Sequence, residues 1–181
     1  MLQIKSLIKF IVPLILVGII FSMTYFLSEK YYYGLATVTS VNFLEVVSGE
    51  ITSILVGINL GLNPVIAGSF IIFLESDISL FVAWNFDVLK KAPKVGRKLV
   101  DYEEKMREII EKKRWIKTAQ FLGVMTIAFI PFYGTGALPS TIIGRLLGMG
   151  WKKSWLAVTL GATIRSIIIL VIIFWGYTVI T

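Results

Sequence analysis

The sequence predicts an all-α integral membrane protein with about three spanning helices, two re-entrant helical hairpins in an inverted repeat, and a cytoplasmic amphipathic helix. Three observations lead to this fold class. The composition is 56% hydrophobic and only 16% charged, with a mean hydropathy of +0.83, which lies well above that of soluble domains. Three apolar runs are long enough to cross a bilayer, since a spanning helix needs about 20 residues. Four shorter apolar arms are joined in pairs by polar or glycine-rich breaks.

The first predicted element is a helix over the apolar run from Phe10 to Leu27. Lys5 and Lys9 precede this run, but it is longer than the core of a signal peptide and contains no small-residue cleavage site. We therefore expect a retained helix, with Pro13 in its first turn, where a missing N–H group is tolerated. The positive-inside rule places the N-terminus in the cytoplasm.

The second element is a hairpin of two short arms, Leu35 to Ser48 and Ile51 to Leu62. Each arm is too short to cross a membrane, and the step at Ser48-Gly49-Glu50 is polar and flexible. Non-helical backbone at membrane depth must be satisfied by protein or by a water-filled cavity, so this hairpin is expected to face a site. After the Asn63-Pro64 turn, Val65 to Leu89 is long enough to span.

Residues 90–117 form a basic segment, with eleven Lys and Arg residues against five Asp and Glu residues, a net +6 out of the whole chain's +7. Apolar residues recur within it at helical spacing, which predicts a cytoplasmic amphipathic helix. A solvated loop and a surface for anionic lipid headgroups both remain open for it. Nucleic-acid binding is not expected, because no recognised nucleic-acid fold or aromatic stacking surface accompanies the charge.

The remaining chain predicts a second hairpin and a last helix. The arms are Trp115 to Ile130 and Ala137 to Gly148, broken at 131–136, and the helix runs from Ser154 to about Ile180. An offset of 87 residues lays the second arm of one hairpin on that of the other. Over thirteen positions it gives five identities, which match Gly49 with Gly136, Ser53 with Ser140, Gly57 with Gly144, Leu60 with Leu147 and Gly61 with Gly148.

The charges predict that the two copies point in opposite directions. Residues 61–64 contain no basic residue, whereas Lys152 and Lys153 follow the second matched arm and should face the cytoplasm. The chain is thus expected to be a multi-pass protein of the cell membrane with its C-terminus outside. We predict one transmembrane domain, 1–181, with a first repeat at about 35–89 and a second at about 118–181. Inverted repeats with broken helices are typical of secondary transporters.

Three sequence motifs resemble those of the small multidrug export protein family, which is similar to the DedA, or SNARE-associated (VTT), membrane proteins. The motifs are Ser48-Gly49-Glu50 through Gly61-Leu62-Asn63-Pro64, Gly134-Thr135-Gly136-Ala137 after Pro131, and Gly144-Arg145-Leu146-Leu147-Gly148-Met149. The resemblance covers about Leu44 to Ile173 and implies two re-entrant hairpins packed as an inverted repeat. For the broader superfamily it implies ion-coupled translocation of lipids, including polyprenyl-phosphate carriers.

The charged residues inside apolar segments are the predicted site, since each costs at least about 2.5 kcal/mol at the bilayer centre unless it is paired or hydrated. They are Glu50, Glu75, Asp77, Arg145 and Arg165. Shared depth and opposite sign predict that Glu75 or Asp77 pairs with Arg165. We also expect Glu50 and Arg145 to line one polar cavity, with Glu50 carrying a proton or cation and Arg145 binding a phosphate-like group.

Gly134 and Gly136 at the second hairpin tip complete the predicted site, because their backbone amides could receive an anion. With no His and no Cys in the chain, an ordinary nucleophile and base arrangement is absent, so neither an enzyme nor a metal or cofactor is expected. Two functions remain open. One is a translocator that uses protons or cations and moves an anionic lipid or a small amphipathic molecule, such as a drug. The other is a membrane scaffold or assembly factor, and either could be a homo-oligomer.

Overall fold

A computed structural model of the chain describes residues 2–44, 49–91, 96–112, 116–131 and 136–180. The described residues form eight α-helices and no strand, which confirms the all-α class. The helices are α1 (Leu2–Leu27), α2 (Glu29–Leu44), α3 (Gly49–Asn59), α4 (Pro64–Leu89), α5 (Gly96–Lys112), α6 (Ile116–Phe129), α7 (Ala137–Leu146) and α8 (Trp151–Ile180).

Three of these helices are long and apolar enough to cross a membrane. The segments are Leu7–Leu27 in α1, Pro64–Val88 in α4 and Trp151–Gly176 in α8, with 21, 25 and 26 residues. A helix of about 20 apolar residues spans the hydrocarbon core, so these three are the candidate spans of an all-α membrane protein. α4 and α8 form the centre of the fold, since far more of their residues are buried within the protein than those of α1.

Pro13 lies in the interior of α1, so the prediction that it occupies the first turn is wrong. The helix begins at Leu2, well before the apolar run. Because proline has no N–H group, the carbonyl of Lys9, four residues earlier, loses its donor within the helix. The side-chain amide of Asn85 on α4 donates to this carbonyl at 3.2 Å. A contact between α1 and α4 therefore offsets the break in the hydrogen-bond ladder.

Two pairs of short helices pack on α4 and α8. α2 contacts α3 and α6 contacts α7, as the hairpin arms predict, although α2 begins at Glu29 rather than at Leu35. The joining residues 45–48 and 132–135 lie outside the described residues. α3 and α7 have 11 and 10 residues, or about 15 Å each, which is half of a hydrocarbon core of about 30 Å. Re-entry of these pairs into a membrane stays a prediction.

The turns after α3 and α7 have the same backbone structure at positions 87 residues apart. Gly61 and Gly148 take left-handed φ values of 78° and 75°, as expected of glycine at a helix C-terminus. The donor and acceptor pairs also correspond: Gly61 to Ile58 and Leu62 to Gly57 in one turn, Gly148 to Arg145 and Met149 to Gly144 in the other. The helices that follow begin at Pro64 and Trp151, again 87 residues apart.

The central helices α4 and α8 pack antiparallel to each other. The contacting pairs, in order along α4, are Gly68 with Leu170, Ser76 with Trp155, and Trp84 with Trp151. Residue numbers rise along α4 while those of its partners fall along α8. Because the 87-residue offset makes α4 and α8 equivalent, their antiparallel packing relates the two halves by an approximate two-fold axis across the helices. The repeat is therefore inverted.

The predicted amphipathic segment contains α5, which packs on α7. Where the structure describes its side chains, the charged ones are exposed: Arg97, Asp101, Glu104, Lys105 and Glu108. Residues 92–95 and 113–115 within the segment lie outside the described residues. The cytoplasmic location of α5 remains a prediction.

Candidate functional site: a buried ionic cluster

Arg165 connects both halves of the protein near the middle of α8. Its Nε donates to Glu50 of α3, and its Nη2 lies 3.2 Å from Oε2 of Glu75 on α4. All three residues are at least nine-tenths buried. The pairing of Glu75 with Arg165, predicted from their shared depth, is confirmed, whereas the structure adds Glu50 to the same guanidinium. We call Glu50, Glu75 and Arg165 the ionic cluster.

Helix ends of the second hairpin complete the ionic cluster. Nη1 of Arg165 donates to the carbonyl of Ala128 at 2.6 Å, in the last turn of α6, where carbonyls lack partners within the helix. Glu75 accepts a hydrogen bond from the backbone N–H of Ala137 at 3.0 Å, at the positive N-terminal end of α7. Glu75 of α4 and Arg165 of α8 thus bind the backbone at the end of α6 and at the start of α7, where helix ends leave backbone groups without partners in the helix.

The first hairpin contributes to the ionic cluster in a comparable way. Glu50 is the second residue of α3, where the positive helix end stabilises a carboxylate. Its other oxygen accepts a hydrogen bond from Ser166 of α8. Residues from α3, α4, α6, α7 and α8 therefore meet at one point, about halfway along both central helices.

The formal charge of the ionic cluster is −1 while both carboxylates are ionised. Nε and Nη2 form one edge of a guanidinium, so Glu50 and Glu75 share the same edge of Arg165. In the part of the chain that the structure describes, Arg165 is the only basic side chain in an ion pair with either acid. Burying an uncompensated charge is costly. The arrangement is chemically suited to bind one proton or one small cation.

Gly136 and Gly134, predicted as amide donors at the hairpin tip, have different outcomes. Gly136 caps the N-terminus of α7, and a Cβ added to it would lie 3.9 Å from Oε1 of Glu75, so it borders the ionic cluster. Gly134 lies outside the described residues. The amide that reaches the cluster belongs to Ala137, the next residue.

Arg145 belongs to a second ion pair, away from Glu50. Its Nη2 donates to Oδ1 of Asp87 at 2.9 Å and its Nη1 to the carbonyl of Met149 at 2.9 Å. Lys90 also reaches Oδ1 of Asp87, at 3.2 Å. Arg145 and Glu50 thus have different ion-pair partners, in contrast to the single cavity expected for them. Arg145 lies two helical turns beyond the α7 N-terminus, which places it near the end of α4 rather than at the tip.

Asp77 is buried but does not join the ionic cluster. Its Oδ1 has no hydrogen-bond partner within the described residues. Two residues after Glu75, its side chain points about 200° away around the helix, so only one of the two acids can face Arg165. Either acid was predicted to pair with Arg165, and their directions around the helix select Glu75.

Two hydroxyl residues near the ionic cluster were not among the site residues predicted from the sequence. Ser166 holds Glu50, and Ser79, one turn after Glu75, hydrogen-bonds to Thr141 of α7 at 2.7 Å between the hydroxyl oxygens. A signal was present, because Ser79 and Ser166 are 87 residues apart and therefore equivalent in the repeat.

One family model matches the chain. It is described as "Putative small multi-drug export protein" and matches residues 51–168, which is more than half of the chain. The match runs from α3 into α8 and includes Glu75 and Arg165, and it begins one residue after Glu50. No curated protein and no solved structure shows a significant match.

Proposed function

This chain belongs to the small multi-drug export protein family, and we propose that it is a membrane transporter in which the ionic cluster binds the coupling ion. The family description supports export of small molecules across a membrane. The coupling ion, the substrate class and the residues that bind them are our proposal. It rests on one observation above all: the ionic cluster joins both halves of an inverted repeat halfway along their central helices.

The ionic cluster offers a physical route from ion binding to movement. Arg165 holds α3 through Glu50, and it holds α4 through Glu75. A proton or cation on one carboxylate would weaken its ion pair with Arg165 and so loosen either α3 or α4 from α8. Ion binding would then favour one arrangement of the halves over another, as a coupled transporter requires.

The charge of the ionic cluster favours a cationic or neutral amphipathic molecule as substrate. An anion entering beside two carboxylates would add like charge in a low-dielectric site. An anionic lipid of the phospholipid or polyprenyl-phosphate type, implied by the DedA resemblance, is the second candidate. One observation supports this second candidate. Nε of the buried Arg145 has no hydrogen-bond partner within the described residues, and a phosphate-like group could accept from it.

We further propose the membrane arrangement that the charges predict. The N-terminus, residues 90–117 and residues 150–153 would lie in the cytoplasm, and residues 61–64 and the C-terminus outside. The pairs α2 with α3 and α6 with α7 would enter and leave the bilayer on one side each. The described helix ends at Gly49 and Ala137 would then lie at membrane depth, near the ionic cluster.

Flux through vesicles that contain the purified protein tests the proposal. A cationic dye, an anionic lipid and protons would each be followed under an imposed pH gradient. We expect gradient-driven flux of the dye, and loss of it in Glu75→Gln. Glu104→Gln is the matched control, because Glu104 is an exposed carboxylate on α5, and it should transport like the parent.

The result also distinguishes the alternative functions. Flux of the anionic lipid in place of the dye would identify the second substrate class. Absence of all three fluxes from a folded protein would contradict transport and favour a scaffold or assembly factor. Unchanged flux in Glu75→Gln would separate the ionic cluster from coupling.

A further inference from the structure

We propose that, in this arrangement of the two halves, water, and with it the coupling proton or cation, reaches the ionic cluster from one end of the protein only, along the seam between α4 and α7. Ser79 and Thr141 line this route, and the Arg145–Asp87 ion pair closes its outer end. The inference rests on the proposed coupling role of the ionic cluster. It adds the direction of access and names residues that carry it.

The seam begins at the ionic cluster and continues as polar contacts on successive levels. α4 and α7 run parallel, with Glu75 bonded to the Ala137 amide at 3.0 Å and Ser79 bonded to Thr141 at 2.7 Å. Thr141 uses its hydroxyl hydrogen on the Ala137 carbonyl, at 2.6 Å. Ser79 must therefore be the donor to Thr141, because a hydroxyl has a single hydrogen.

The outer end of the seam lies at the surface. Asp87 is twelve residues beyond Glu75 in α4, or about 18 Å along the axis, close to half of a bilayer core of about 30 Å. The Asp87 side chain is 60% exposed, whereas the side chain of its partner Arg145 is only 9% exposed. An exposed carboxylate is readily hydrated, so water reaches the outer end of the seam at Asp87.

Two buried polar atoms along this side have no protein partner among the described residues. They are Nε of Arg145 and the hydroxyl of Ser154 at the start of α8. The Ser154 hydroxyl faces α7, since a Cβ on Gly144 would lie 3.0 Å from it. Buried polar groups normally have partners, and water supplies them where protein does not. Water entering from the Asp87 end would meet both atoms before it reached Ser79.

The equivalent seam in the other half consists of the matching positions on α3 and α8, which are apolar beyond the ionic cluster. Unlike α4 and α7, these two helices are not in extensive contact. Adding or subtracting 87 gives the counterpart of each residue on the polar side. Thr141 corresponds to Ile54, Arg145 to Ile58, Asp87 to Phe174, and Ser154 to Ala67. Ile54 and Ala67 are fully buried. The one polar counterpart is Ser166, which matches Ser79, and its hydroxyl is already bonded to Glu50.

Because one seam is polar and its counterpart is apolar, we infer that water enters along the polar seam. The two seams occupy matching positions of the repeat, and we infer the direction from the chemistry of their side chains. Hydroxyl and charged groups stabilise entering water on the α4 and α7 side, while Ile54, Ile58 and Phe174 exclude it on the other. By the charge distribution, the polar side faces the cytoplasm.

Thiol labelling tests the route, because the chain contains no cysteine. Two matched pairs of single variants compare the seams: Ser79→Cys with Ser166→Cys, and Thr141→Cys with Ile54→Cys. Each pair occupies equivalent positions in the repeat, and all four native residues are fully buried. The measurement is the rate of reaction with a small hydrophilic thiol reagent in the folded protein, with denatured samples to show that every thiol can react.

We expect the cysteines at 79 and 141 to react several-fold faster than those at 166 and 54. Asp87→Asn, which weakens the outer ion pair, should speed the reaction at 79 and leave that at 54 unchanged. Asp101→Asn, an exposed carboxylate on α5, is the control and should change neither. Equal rates on the two seams, faster labelling at 54 and 166, or no labelling of any of the four would each overturn the proposal.

The labelling measures access without transport, so its outcome is separate from that of the flux experiment. A protein with one-sided labelling and no flux would retain the route and lose the transport function. A protein with flux and equal labelling would retain the function and lose the route. Thermal stability of each variant, compared with the parent, identifies any variant that opens because it is poorly folded.

Discussion

Glu75 and Arg165 pair across the two central helices, with 3.2 Å between Oε2 and Nη2. Removing one partner of a buried ion pair typically costs about 3–5 kcal/mol, whereas replacing the whole set with apolar residues can be nearly neutral. We therefore expect Arg165→Leu to lower the thermal stability of the protein strongly. Arg165→Leu combined with Glu50→Leu and Glu75→Leu should recover much of that loss, and strictly additive losses would contradict a buried ion cluster.

The inverted repeat predicts the sides on which two exposed residues, at the starts of α4 and α8, lie. Asn63 directly precedes α4, and Lys152 is the second residue of α8. Because α4 and α8 are antiparallel, the two residues lie at opposite ends of the helix pair. A cysteine at position 63 should react with an impermeant thiol reagent from outside the cell, and one at position 152 only after the cytoplasmic side is opened. Lys105→Cys on α5 should behave like position 152. Labelling of 63 and 152 from the same side would refute the arrangement.

The left-handed glycines predict a cost for alanine in each of the two turns. At Gly61 the added Cβ would also displace the flexible end of Lys30, which lies 2.6 Å from it. An added Cβ in this conformation costs roughly 1–2 kcal/mol, so Gly61→Ala and Gly148→Ala should each reduce the free energy of unfolding by about that amount. Gly123→Ala is the control, because Gly123 is helical and a Cβ there would have nothing within 4 Å. It should be neutral or stabilising by up to about 1 kcal/mol. If Gly148→Ala were as neutral as the control, the φ value would be wrong.

The contact between Asn85 and Lys9 predicts that two substitutions in different helices are coupled. Asn85→Leu removes the donor that serves the Lys9 carbonyl and should cost about 1 kcal/mol. Pro13→Ala restores an N–H group to α1, which can serve the same carbonyl. We expect Asn85→Leu to cost less in the Pro13→Ala background, as measured by thermal unfolding in detergent. The same cost in both backgrounds would show that the contact does not compensate for proline.

The fold was largely predictable because its signals are local. Spanning helices follow from apolar length, breaks follow from glycine and polar residues, and the offset of 87 is visible in the glycines that end α3 and α7. The start of α1 was not predictable, because residues before Phe10 are mixed in polarity and Pro13 suggested that the helix begins nearby. Only the contact from Asn85, on a distant helix, explains why the proline is tolerated.

The site was predictable in composition and less so in pairing. Buried charge marked Glu50, Glu75 and Arg165, and equal depth suggested the pair between Glu75 and Arg165. The partner of Glu50 was not predictable, since the depth of a residue in a short hairpin arm depends on how that arm tilts against α8. Arg145 was expected to share a polar cavity with Glu50, but it lies eight residues after Ala137, towards the other end of α7.

The antiparallel packing of α4 on α8 means that two halves with one backbone plan must be inserted into the bilayer in opposite directions. Because the two halves have similar backbones, we expect the distribution of charge to determine the direction in which each half is inserted. Residues 90–117 carry a net +6 at the end of α4, and Lys152 and Lys153 lie at the start of α8. By the positive-inside rule, we expect the same excess of positive charge to keep the C-terminal end of α4 and the N-terminal end of α8 on the cytoplasmic side. Moving that charge to the opposite turns is expected to yield an upside-down protein with its fold intact.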